Sequence, residues 1–280
     1  MMYARLLSIL LTLIFASGCE HHPSAFEPYY GGYTTLESAL ENASSAQELK
    51  LSAIGDSLSP EIGRLQKLWY LEIRDSPIRF LPEAISMMNS LTHFEMHNTQ
   101  LESFPPQIWR NKNILNLYID SCGISFIPDS LESSSITWLA LHDCNIDSIP
   151  AWMMHWEQLH KLGLSSNNIK NFNVDEFSYN DLSQLSLQYN QLRAFETASN
   201  SFKSLYSLDL GNNELEEFNV ASGSLSELKY LSLHYNNLTD FRVTASALPK
   251  LVHLGLVGNP IPPSSRDRIR LSFPNAVVSF

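Results

Sequence analysis

Apolar residues recur along most of the chain in one frame, cleanest in LYSLDLGNNELEEF, Leu205 to Phe218. Written L-x-x-L-x-L-x-x-N-x-L-x-x-F, the frame returns at Leu182 and Leu228. Looser copies begin at Leu68, Leu91, Ile114, Ile136, Leu159 and Leu251. Successive starts lie 23 residues apart, with one step of 22. A period of this length marks a solenoid of stacked units, none of which can bury its apolar face alone. Within a copy, the L-x-L alternation points Leu208 and Leu210 inward and Asp209 outward on a short strand. Stacking one such strand per copy, about 4.8 Å apart, predicts a curved parallel sheet above a continuous leucine ladder.

The polar slot of the frame holds Asn167, Asn190, Asn213, Asn236 and Asn259. The chain bends there and backbone groups lose their strand partners. A buried carboxamide both donates and accepts, so these asparagines are expected to be structural, each serving a neighbouring loop. The whole pattern resembles the leucine-rich-repeat family over about Ala46 to Phe280; LSLQYNQLRAF, LDLGNNELEEF and LSLHYNNLTDF fit every consensus slot. The resemblance implies an α/β solenoid: a horseshoe with a parallel concave β-sheet, short helices or irregular segments on the convex side, and helical caps. It also implies a binding surface rather than a catalytic centre, with no cofactor.

About ten repeats are expected over residues 46–263, the first irregular because Asp56 stands in an apolar slot. Repeats two to five carry proline on the outer turn (Pro82, Pro105, Pro128, Pro150), followed by Ile85, Ile108, Leu131 and Trp152. Proline there suits the first turn of a short convex helix. From repeat six the slot becomes Phe172, Phe195, Phe218 and Phe241, and less helix is expected. A capping helix is predicted over residues 34–45, with Thr34-x-x-Glu37 as its capping box. A C-terminal cap is predicted over 264–280: an amphipathic helix from Ser264 to Leu271, then a closing edge strand near Val277. This end resembles the caps of intracellular-type and bacterial repeat proteins.

Residues 1–18 lie outside the frame. Arg5, the apolar run Leu6 to Ala16, and the small residues after it read as a signal peptide, too short to span a membrane. Ala16-Ser17-Gly18-Cys19 resembles the lipobox of bacterial lipoproteins, with Ala16 where leucine is usual. The resemblance implies lipidation of Cys19, a flexible tether over 19–33, and a lipid anchor in a bacterial cell envelope. Glu20 after the cysteine leans towards the outer membrane. The His21-His22 pair reads as solvated linker.

The formal net charge of −11, from 29 acids and 18 bases, argues against a nucleic-acid surface, which needs clustered cations. Cys122 and Cys144 fill the polar slot of consecutive repeats, and buried free thiols are expected over a disulfide. Gly55-Asp56-Ser57-Leu58 matches the nucleophile block of the GDSL esterases. The Asp-x-x-His those enzymes need occurs nowhere in the chain, so esterase activity is the least favoured reading. His97, Asp120 and His142 share a column, but its outer members would stand about 10 Å apart at the backbone, too wide for one metal ion.

The letters the frame leaves free define the concave face. In repeats two to five they include Tyr70, His93, His97, Tyr118, Trp138 and His142 among acids; in later repeats they are smaller and more neutral. Aromatic residues dominate binding hot spots. These six residues are the candidate contact patch for a protein partner, with a glycan or peptide ligand as the alternative occupant and a monomer as the expected state. Their other reading is mutual cover across neighbouring strands.

Overall fold

The computed structural model describes residues 32–129, 131, 135–172, 174 and 181–280. The signal segment, Cys19, His21-His22 and the tether as far as Gly31 lie outside them. The expected solenoid is present: an eleven-stranded sheet in which each strand pairs with the next in space, every pairing parallel. Its strands are β1 (Glu48–Ser52), β2 (Tyr70–Ser76), β3 (His93–Thr99), β4 (Asn116–Asp120), β5 (Trp138–His142), β6 (Lys161–Gly163) and β7 (Gln184–Ser186). They continue through β9 (Ser207–Asp209), β11 (Tyr230–Ser232), β12 (His253–Gly255) and β13 (Val277–Ser279). Register follows the repeat, with Leu71 opposite Phe94, Leu117 opposite Leu139, and Leu208 opposite Leu231. One face is therefore a continuous buried ladder; Leu208, Leu210, Leu231 and Leu233 are fully buried.

The asparagine ladder has the expected role and a consistent direction. Asn190 Nδ2 donates to the Leu164 carbonyl of the preceding repeat at 2.9 Å and to its own Leu187 carbonyl at 3.0 Å. Its Oδ1 accepts from Ile169 N at 3.0 Å. Asn213 and Asn236 repeat this set on Leu187 and Leu210, each reaching one repeat back. The residue just before each slot turns through the left-handed region: Ser166, Tyr189, Asn212 and Tyr235 all have φ between +52° and +56°. That bend is what exposes the carbonyls the asparagines satisfy.

The two halves differ on the convex side as the outer-turn residues predict. Short helices run over Pro60–Arg64, Glu83–Met87, Pro106–Arg110 and Ala151–His155. In the later repeats the phenylalanines form a spine instead. Phe172, Phe195 and Phe218 stack at 5.7 Å per step with rings 11° from parallel, and Phe241 follows at 5.9 Å. A second, two-stranded parallel sheet, β8 (Ala194–Glu196) with β10 (Glu217–Asn219), carries the two middle rings of that spine, Phe195 and Phe218, in register. A slot of repeated phenylalanines gives no sequence sign of a strand, because a single central apolar residue per segment shows no alternation.

At the N-terminus the capping helix spans Leu36–Glu41, and its cap is Thr35, whose hydroxyl accepts from Ser38 N at 3.2 Å. The expected Thr34 cap is displaced by one residue. Tyr33, assigned above to the tether, instead pairs with the edge of β1, its N–H donating to the Glu48 carbonyl at 3.0 Å. Covering an open edge satisfies backbone groups that would otherwise template other chains. At the other end the helix Pro263–Ser272 and strand β13 close the solenoid as predicted.

Candidate functional site

The concave face of β2 to β5 is three columns deep. In register across the four strands, Tyr70, His93, Asn116 and Trp138 form one column. Glu72, Glu95, Tyr118 and Ala140 form the second, and Arg74, His97, Asp120 and His142 the third. The strand period alone places all twelve on one face. Five of the six candidate contact residues, Tyr70, His93, His97, Tyr118 and Trp138, are half-buried there.

A hydrogen-bonded charge network ties the columns together. Glu72, 3 % exposed, accepts from the Tyr70 hydroxyl at 3.0 Å, pairs with Arg74, and lies 3.6 Å from Lys50. His97 bridges two acids, with Nδ1 3.0 Å from Asp120 and Nε2 3.3 Å from Glu95. Burial alone would depress His97, but the two acceptors outweigh it and hold the imidazole up at about 9. His97 is therefore a cation at neutral pH, and the network balances: Glu72, Glu95 and Asp120 against Lys50, Arg74 and His97. Burial beside Glu95 and Glu72 pushes the Tyr70 phenol far up, so it stays a donor.

One ligand atom from each of Glu72, Glu95 and His97 falls within 4.8 Å of the others, the only such metal-sized group among the described residues. All three atoms already face Lys50, Arg74, Tyr70 or Asp120, and a protonated imidazole has no lone pair to give. The chemistry of this cluster is that of a structural ion-pair network.

Tyr118 sits on the network, its ring 5.2 Å from His97 on one side and 5.2 Å from His142 on the other. Trp138 carries the Lys161 ammonium 4.8 Å above its ring. His93 packs edge-on against Trp69 at 5.2 Å and lies 2.5 Å from the Asn116 amide. Mutual cover thus accounts for part of each ring, and the half-exposed remainder faces the concavity.

His142 departs from the expected contact role, being only 5 % exposed. Gly163 in the next repeat leaves a gap on the face, and the His142 ring fills it: a methyl at Gly163 would meet Cε1 at 2.6 Å. Its Nδ1 accepts from Ser165 N at 3.2 Å, which fixes the neutral Nε2–H tautomer, and burial holds it down at about 4. His142 supports Tyr118 from the side and is not itself a contact surface. His234 lies over Gly255 and accepts from Val257 N at 3.2 Å in the same way. The metal column considered above therefore breaks at His142, which turns towards β6. The sequence signal for both rings was present: a histidine paired with glycine two positions earlier in the frame of the next repeat.

Ser57 of the GDSL-like tetrapeptide is exposed on the outer turn, and its backbone bridges to Phe80 of the next repeat. Among the described residues no hydrogen bond joins its hydroxyl to a histidine.

The leucine rich repeat family model matches residues 203–261, the stretch where the frame is cleanest. No curated protein sequence matches the chain. Among solved structures, an internalin (inlF) from Listeria monocytogenes is similar at 15 % identity and TM-score 0.62, over 88 % of this chain and 76 % of that one. The octameric complex of Latrophilin 3, Unc5D and FLRT2, in which FLRT2 is the leucine-rich-repeat component, gives TM-score 0.69 at 15 % identity, over 86 % and 78 %. The plant peptide hormone receptor RGFR1, in complex with RGF2, gives TM-score 0.54 at 17 % identity, over 89 % of this chain and 41 % of the receptor. These likenesses are of fold. With the matched repeats, the one-strand-per-repeat parallel sheet and the asparagine ladder, they show that the chain has the leucine-rich-repeat fold.

Proposed function

We propose that this is a non-enzymatic recognition protein whose N-terminal concave half binds a protein partner, with Tyr118 and Trp138 as the anchoring side chains. One observation carries the reading: two large aromatic rings are held half-exposed beside a charge network whose members neutralise one another. Rings fixed in place lose little side-chain freedom on binding, and a balanced network asks for an apolar, hydrogen-bonding partner surface. Tyr70, His93 and His97 complete the patch. FLRT2 and RGFR1 are both seen in complexes, which supports a binding role for this fold.

The same reading sets the protein, as a monomer, in a bacterial cell envelope. It is held on the outer membrane by acyl chains on Cys19, because the apolar run and the small residues before that cysteine fit a lipoprotein signal. Two or more chains supply an anchoring that one cannot. Incorporation of labelled palmitate in the native host, abolished by Cys19→Ser, is the expected result for the anchor.

A photo-cross-linker placed at Tyr118 or Trp138 tests the recognition reading in the native envelope. One protein captured from both positions, and not from Gln184 on the later half of the face, is the expected outcome. Capture of glycan in place of protein would favour the alternative in which the half-exposed rings stack on a sugar.

A further inference from the structure

Cys122 and Cys144 stand in the polar slot of consecutive repeats, each two residues beyond the paired Asp120 and His142. Adjacent parallel strands lie about 4.8 Å apart, inside the Cα window of roughly 4.4–6.8 Å that a disulfide spans. Both thiols are free, as expected, with Cys144 buried and Cys122 only half-buried. Their sulfurs approach to 3.1 Å, about 1 Å beyond a disulfide bond. Cys122 is half-buried and within reach of a reagent, while Cys144 is buried behind it, its Sγ 3.2 Å from the His142 carbonyl oxygen.

We propose that Cys122 and Cys144 are a redox-reactive pair that closes a disulfide between repeats when the chain meets a disulfide-bonded thiol oxidant. The roles within the pair differ. The contact with Cys144 holds the Cys122 thiol below its ordinary value, and the same contact with burial pushes Cys144 up. Cys122, the sulfur a reagent can reach, is the attacking thiolate, and the buried Cys144 is the resolving group.

Cys122 Sγ attacks one sulfur of the oxidant, whose other sulfur leaves as a thiolate. Cys144 then gives its proton to that base through solvent and attacks Cys122 Sγ in the mixed disulfide, expelling the second thiolate. The protein loses two electrons and two protons, and the oxidant leaves as two thiols. The bond ties the end of β4 to the end of β5, the strands that carry Tyr118 and Trp138, and so connects oxidation state to the patch.

Oxidised glutathione and the full-length chain make the test, with acid quenching, alkylation after denaturation, and peptide mapping. Cleavage after Glu132 separates the two cysteines. In wild type, both alkylation sites are expected to disappear together and a linked Cys122–Cys144 peptide pair to replace them. Cys144→Ser is expected to trap glutathione on Cys122 instead. Ser76 fills the same slot in an earlier repeat, so serine suits the position. Two wild-type results overturn the proposal: both thiols still alkylated, or glutathione accumulating on Cys122 without closure to Cys144. A link from either cysteine to Cys19 overturns it as well. The wild-type map decides whether or not the variant folds.

Discussion

The His142 ring occupies the space above Gly163, so close that a methyl there would meet Cε1 at 2.6 Å. Two repeats are thereby interlocked through a missing side chain. Gly163→Ala is expected to cost about 1–3 kcal/mol by overpacking. In a His142→Ala background the same change should cost little beyond the first substitution, because the obstructing ring is gone. Urea unfolding of the two single variants and the double variant measures this coupling. Additive effects would mean that the ring is not what glycine accommodates.

His97 between Glu95 and Asp120 gives a pH signature of definite sign. Its folded value is raised from 6.5 to about 9, so its contribution is fully present below 6.5 and is lost as pH rises through 9. The stability gap between wild type and His97→Gln should be on the order of 1–3 kcal/mol near pH 6 and should vanish by about pH 10. His142 acts oppositely. Burial lowers it from 6.5 to about 4, so its neutral form is lost and stability falls as pH drops through that interval. Chemical unfolding across pH 4–10 checks both slopes.

Asn213 and Leu210 probe the scaffold by different routes. Leu210 is fully buried, and Leu210→Ala is expected to cost about 2–5 kcal/mol through the cavity it leaves. Asn213→Ala removes the donors to the Leu187, Leu210 and Gly211 carbonyls and the acceptor for Leu192 N. Leaving such buried groups unpaired costs roughly 1–3 kcal/mol each before relaxation, so a loss comparable to that of Leu210→Ala is expected. An unchanged melting temperature in either variant would contradict the ladder description.

The scaffold was legible because its rules are periodic. The L-x-L alternation put Leu208 and Leu210 in the core, and the spacing of Asn190, Asn213 and Asn236 placed one at every bend. The outer prolines of the early repeats foretold helix, and Phe195 and Phe218 foretold its loss. The concave face was legible only as a set of columns. That His142 would leave its column depended on Gly163, one repeat away, and on a backbone N–H at Ser165; such a departure is a property of two repeats together. The sulfur contact of Cys122 and Cys144 likewise depends on side-chain rotation, which a repeat pattern does not encode. Tyr33 escaped the sequence because edge pairing uses backbone groups that every residue carries.

The central claim is that recognition lies in the free letters of repeats two to five, above all Tyr118 and Trp138. Native affinity purification with wild type, Tyr118→Ala/Trp138→Ala and Gln184→Ala/Ser207→Ala tests it most directly, with melting temperatures confirming that each variant is folded. Truncating hot-spot residues typically costs 2 kcal/mol or more, so at least one protein should fall roughly thirtyfold or further in the Tyr118/Trp138 variant while the Gln184/Ser207 variant retains it. Retention of every wild-type partner by the folded Tyr118/Trp138 variant would contradict the claim.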